Sequence, residues 1–321
     1  MGKPIRVIRK RIRKKPYFLF YAYLLAALLL LASVASYTWF TLSRAPQVNN
    51  MNVYITSGTG LQLAATPDAE EWTLQLDLFG NEEHSLQQVT WSAESNRFKV
   101  PKYAFDGRTL RVIAWEPLEE DPEAPENMPY VKKTFYARCD MPADVTLSMP
   151  RSVDTEGTIQ GGGTYVVGDS QGRYGLETAI RIGLRMTCVD STGKALSDPG
   201  ELFVYEPNVD RHVDGSTGET PTYSVDRLDG TTPLVEEQYL IKQTISPSAK
   251  NPGEFLQNPV LFNLKPTDIV KIEFYMWLEG QDVDCSNAMG MSKDVTTSVI
   301  EANLQFFGTT DSQSGMGHIP E

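Results

Sequence analysis

The sequence predicts an all-β ectodomain, a jelly-roll-like β-sandwich, behind one N-terminal transmembrane or signal helix. Three observations predict it. Apolar and polar residues alternate strictly in several stretches, as in Ile180-Arg181-Ile182-Gly183-Leu184-Arg185-Met186-Thr187-Cys188, and a period of two marks a strand with one buried face. Long helical periodicities are scarce, while Gly, Pro, Asn and Asp clusters cut the chain into short runs. Residues 17–35 carry no charge, and Lys3, Arg6, Arg9, Lys10, Arg11, Arg13, Lys14 and Lys15 precede them.

The apolar run sets the organisation. As a helix, residues 17–35 span roughly 28 Å, close to the hydrocarbon thickness of a bilayer. The basic block stays cytoplasmic, so the C-terminal body lies outside. Tyr17, Tyr21 and Tyr23 fall near one interface, Tyr37 and Trp39 near the other. The stretch also has the parts of a signal peptide, with small residues at Ser33 and Ala35 for cleavage before Ser36. Both outcomes, retained anchor and cleaved signal, export the body. The expected layout is a basic tail over 1–15, anchor or signal over 16–43, β-sandwich over 44–307 and a Gly/Ser/Thr-rich tail over 308–321. The membrane is thus a partner through residues 17–35.

Charge divides along the same line. The chain carries −12, and the eight basic residues of the tail leave −20 for the remainder. Such a body repels phosphate, so no nucleic-acid partner is expected. The three cysteines, Cys139, Cys188 and Cys285, form no C-x-x-C and no metal-ligand spacing. Alternation places Cys188 on the core face, as an inert thiol.

The strands follow in order. Met51–Thr56 and Leu61–Leu63 flank Ser57-Gly58-Thr59-Gly60 and read as a hairpin. Trp72, Leu74, Leu76 and Leu78 share one face of a further strand. Leu110–Trp115, Val131–Ala137, Val145–Met149, Thr164–Val167 and Ala179–Val189 are further candidates. Residues 116–129 are acidic and Pro-rich, a solvated loop. Residues 190–230 are turn-rich around a short apolar Leu202–Tyr205; 236–245 reads as strand and 246–259 as loop. Val270, Ile272, Phe274, Met276 and Leu278 share a face, as do Ile300, Ala302, Leu304 and Phe306.

Candidate chemistry is thin. Gly168-Asp169-Ser170-Gln171-Gly172 matches the G-x-S-x-G elbow around Ser170, but it leads into a strand instead of the helix that this turn requires. Only His84, His212 and His318 are available as bases, and H-E-x-x-H is absent. No catalytic residue and no enzymatic activity are expected. Glu279, Asp282 and Asp284 form a candidate Ca2+ site at a strand end, against the alternative of a solvated acidic turn. No other cofactor is expected. Tyr275 and Trp277 lie opposite the core face of their strand. Exposed, they are a platform for a glycan or other ligand; covered, they pack beneath a loop or second sheet.

Two stretches resemble a known family. Ser36-Tyr37-Thr38-Trp39-Phe40-Thr41, then Asn49-Asn50-Met51, Val53, Ile55 and Gly60-Leu61-Gln62-Leu63, resemble the start of the TasA/camelysin group of exported proteins of Gram-positive bacteria. Phe274 to Cys285, with Glu301 to Phe306 after it, is similar to C-terminal strands of exported proteins with that type of N-terminus. Phe40-Thr41 here runs into Leu42, where TasA-type sequences run from Phe-Ser into Asp. The resemblance implies a jelly-roll body, a cell-surface or biofilm-matrix location, no cofactor, and for TasA itself fibres joined by an inserted N-terminal strand. Here Tyr37, Trp39, Phe40 and Leu42 would be the apolar positions of such an assembly strand; alternatively they are the membrane interface belt. The function expected is thus a non-enzymatic surface or matrix protein working by self-association or by contact with other surface proteins. The alternative is a membrane-anchored glycan- or ligand-binding module.

Overall fold

The computed structural model describes residues 21, 23–30, 50–58, 60–80, 84–92, 95–105, 110–120, 128–148, 163–168, 176–207, 244–247, 255–257, 259–282 and 299–309. The chain divides into Met1–Arg44 and Ala45–Glu321. In the first unit Tyr21 and residues 23–30 are helical and exposed. Among the described residues no helix is long and apolar enough to cross a membrane. The rest of the apolar run lies outside the described residues.

The second unit is all-β, and its described strands form two sheets. The smaller contains β1 (Asn50–Ser57), β3 (Gln75–Asp77), β8 (Ala143–Leu147), β9 (Tyr165–Gly168), β14 (Phe262–Leu264) and β16 (Val299–Thr309). Its order is β14-β8-β16-β1-β3, with β9 also on β16. The larger contains β2 (Leu61–Ala64), β4 (Gln88–Ser92), β5 (Arg97–Phe105), β6 (Leu110–Pro117), β7 (Val131–Cys139), β10 (Ile180–Val189), β11 (Leu202–Tyr205), β12 (Thr244–Pro247), β13 (Phe255–Gln257) and β15 (Ile269–Glu279). Its order is β13-β12-β11-β10-β15-β4-β5-β6, with β7 on β15 and β2 on β7.

One apolar core lies between the sheets. Val53, Ile55, Leu304 and Phe306 enter it from the smaller sheet; Phe135, Ile182, Leu184, Ile272 and Phe274 enter it from the larger. Phe135 and Phe306 meet across the core with ring centroids 5.9 Å apart. Each such side chain adds about 1.5–3 kcal/mol by leaving water.

The alternation that predicted β15 and β16 holds, as does that of β10 from Ile180 to Met186, because each supplies one face of that core. Two local expectations fail. Leu61–Leu63 does not form a hairpin with Met51–Thr56. Gly58 N–H donates to the Phe306 carbonyl at 2.8 Å, and Gly60 turns at a φ of 79°, which carries the chain from one sheet to the other. β1 instead runs parallel to β16 in register Asn50↔Val299 to Ser57↔Phe306. The strand expected from Trp72 is cut to Gln75–Asp77, because Thr73 bonds the Leu63 backbone of β2 in both directions, at 2.7 Å and 2.8 Å, before the chain joins β1. Leu74 is then exposed while Leu76 and Leu78 pack on the core.

Several segments read as loop or left unread are strands, β14 among them. Leu202–Tyr205 is β11, and residues 246–259, expected as loop, contain part of β12 and all of β13. β4 and β5 carry weak alternation because they are covered differently from the other strands. They form a hairpin whose Val89, Trp91 and Phe98 fold onto the outer face of the larger sheet. A second aromatic layer results, in which Phe98 stacks on Tyr130 at 4.1 Å and meets the edge of Trp277 at 5.3 Å. β8 and β9 act as one interrupted strand along β16: β8 pairs Phe306–Thr309 and β9 pairs Ile300–Asn303. Thr164, buried between them, donates to the Gln305 carbonyl and accepts from its N–H.

Candidate functional site

Odd-numbered residues of β15 and β10 point to the outer face of the larger sheet. The register sets Trp277 opposite Arg181, Tyr275 opposite Gly183, Glu273 opposite Arg185 and Lys271 opposite Thr187. The β4–β5 hairpin covers half of this face. Trp277 is fully buried and Tyr275 is 5% exposed. They lie within the second aromatic layer with Val89, Trp91, Phe98, Tyr130, Leu202 and Val204. Neither ring therefore presents the open platform that stacking on a glycan requires.

Beside Trp277 lies a buried ionic cluster that the sequence did not announce. Arg181 donates one nitrogen to Glu206 Oε1 and to Asp282 Oδ2, each at 2.6 Å. All three side chains are no more than 2% exposed. Arg181 reads from sequence as one polar position on a half-exposed strand. Its burial follows from the covering hairpin, which alternation within β10 does not record. Glu206 is the next residue in the outward-facing series Leu202, Val204 of β11, which places it opposite Arg181.

Glu279 closes the cluster. The Trp277 indole N–H donates to Glu279 Oε2 at 2.9 Å, and the Gln281 backbone N–H donates to Oε1 at 3.0 Å. Burial pushes this carboxyl up to about 7, while those donors, Arg181 and Thr90 pull the other way. The calcium candidates are thereby placed differently from the expectation. Asp282 is engaged by Arg181 and Glu279 by Trp277, so neither stands at an open strand end; Asp284 lies outside the described residues. Among the described residues no group of three or more His, Cys, Asp or Glu is arranged to hold a metal ion.

The uncovered part of the face is polar and basic. Lys132 Nζ and Lys271 Nζ lie 3.5 Å and 3.1 Å from the same oxygen of Glu273. Burial raises the Glu273 carboxyl, but Lys132, Lys271 and Arg185 together outweigh it and hold the group below the ordinary carboxylate range. Arg185 spans the hairpin edge, donating to Asn96 Oδ1 at 2.8 Å and lying 5.5 Å from the Trp91 ring centroid. Further along, Arg138 covers the Trp72 ring at 4.4 Å and donates to Gln62 at 2.8 Å.

Other sequence candidates separate. Ser170, His212, His318 and Cys285 lie outside the described residues, as do Tyr37, Trp39, Phe40 and Leu42. His84 packs on Phe79 at 4.6 Å between ring centroids. Cys139 is buried, and burial pushes its thiol up. Cys188, expected on the core face, is exposed: it sits one residue from the end of β10, where facing inward no longer means being covered. No family model, no curated protein and no solved structure matches this chain.

Proposed function

We propose that this chain is a non-enzymatic cell-surface or extracellular-matrix protein that acts by protein–protein assembly, as a fibre subunit in its most specific form. Its body is a jelly-roll-like β-sandwich, held outside the membrane by residues 17–35 or released after cleavage near Ala35. The basic tail, the charge-free run and the acidic β-rich remainder support export.

One structural observation carries the assembly reading. β1, the first strand of the body, is paired with β16 through eight register positions but with β3 through three, Tyr54 to Thr56. Leu78 N–H reaches the Val53 carbonyl at 3.0 Å; before it, among the described residues, Asn50–Asn52 has no partner on the β3 side. Unpaired strand backbone recruits another strand. Such a strand from a neighbour would extend the smaller sheet there, and Ser36–Val48 of a second copy is the candidate donor.

A photo-crosslinking residue at exposed Asn52, in the full chain expressed in its cell envelope, tests this. The proposal expects a ladder of dimers and higher species joined through Asn52. Monomer alone at every expression level would refute it.

A further inference from the structure

The open half of the larger sheet's outer face concentrates positive charge on a body that is otherwise strongly acidic. Register sets Lys132 opposite Tyr275, Thr134 opposite Glu273 and Tyr136 opposite Lys271. With Arg185 on the other side of β15, three cations surround one carboxylate, Glu273. The set carries a local charge of +2 where the body carries −20. The cations remain accessible: the Lys132 and Lys271 side chains are 44% and 31% exposed. Arg185 lies between the Trp91 and Tyr275 rings, 5.5 Å and 5.9 Å from their centroids, and donates to Asn96, so part of its ordering cost is already met.

The carboxylate at one margin indicates what the patch accepts. Glu120, from the acidic segment that follows β6, accepts from Tyr130 at 2.9 Å and adds attraction at Lys132. A carboxylate carried on polypeptide thus already approaches the patch, while its centre keeps an excess of cations.

We propose that Lys132, Lys271 and Arg185 form a docking site for an acidic polypeptide segment of a partner protein. Its carboxylates would pair with the two lysines, which sit on adjacent strands, and with the Arg185 guanidinium edge. The pairing is partly solvated, so it favours rapid, salt-sensitive association over a tight complex. The inference rests on the reading that this chain works through protein contacts, and it names one of those contacts.

The test is a titration of fluorescent poly-L-glutamate into the full chain in detergent or nanodiscs, with the eight basic residues of the tail replaced by Gln so that the tail does not itself bind the polyanion, at about 50 and about 300 mM salt. Dextran sulfate runs in parallel. The expected result is saturable poly-L-glutamate binding that weakens at the higher salt. It should fall about tenfold or more in K132Q/K271Q and stay unchanged in K265Q, which neutralises an exposed lysine elsewhere. Equal thermal melting of the variants establishes that they are folded. No binding at low salt, equal loss in K265Q, or binding of dextran sulfate in preference would overturn the proposal. An intact Asn52 crosslinking ladder without poly-L-glutamate binding removes the docking site alone. Binding without the ladder removes the strand-assembly reading alone.

Discussion

Loss of the buried Arg181 side chain carries a heavy penalty. In Arg181→Met the aliphatic volume is largely kept, but Glu206 and Asp282 lose the guanidinium they share at 2.6 Å. Removing one partner of a buried ion pair costs about 3–5 kcal/mol. Two acids lose that guanidinium here, so the upper end of that range applies. A ceiling follows from chemistry. A buried carboxylate without a countercharge can take up a proton, which costs an ordinary carboxylic acid about 4 kcal/mol at pH 7 and about 1 kcal/mol at pH 5. The variant should therefore lose about 5–8 kcal/mol at pH 7, a large part of the stability of a typical domain. At pH 5 the loss should shrink to about 2–3 kcal/mol. Urea unfolding followed by tryptophan fluorescence at both pH values measures it, because Trp277 lies against the cluster. A loss below about 1 kcal/mol at pH 7, or one that does not shrink on acidification, would refute the electrostatic account.

Further expectations come from the same half of the molecule. Glu279 titrates at about 7 when folded, above the ordinary Glu range in the unfolded chain. The folded state thus holds a proton that the unfolded state releases, and stability falls as pH rises from about 4.5 through 7, by about 3 kcal/mol in full. The urea midpoint should be higher at pH 5 than at pH 8 and flatter in Glu279→Gln; greater stability at pH 8 contradicts this. Gly280 leaves no room for a Cβ, which would strike the six-membered ring of Trp115; Gly280→Ala should cost about 2 kcal/mol in thermal or urea unfolding. Added Ca2+ should leave the melting temperature where EDTA leaves it, because Asp282 and Glu279 are engaged within the protein. A clear rise with Ca2+ would show that a cation competes with Arg181.

Period-two patterning made the central strands legible. Ile272, Phe274, Met276 and Leu278 of β15 and Ile300, Leu304 and Phe306 of β16 face the core as alternation requires. Partners were not legible in the same way. Gly58 and Gly60 mark a turn, but whether that turn closes a hairpin or changes sheets depends on β16, more than 240 residues away. The outer face of β15 shows the same limit from the other side. Its Lys271, Glu273, Tyr275 and Trp277 read as one polar-aromatic row, yet the β4–β5 hairpin buries Trp277 and leaves Lys271 accessible. The division is set by Val89, Trp91 and Phe98, whose own strands are too weakly patterned to predict the cover. Arg181 was hidden for the same reason, since a buried guanidinium is recognised only with Glu206 and Asp282 beside it.

We propose that the body assembles through protein contacts. The most direct measurement is the particle mass of the full chain recovered from the cell envelope in mild detergent and from the medium, each by mass photometry across a dilution series. Masses at successive multiples of one chain are expected, persisting in at least one fraction and falling apart on dilution by whole subunits. A single monomer mass in both fractions at every concentration would contradict it.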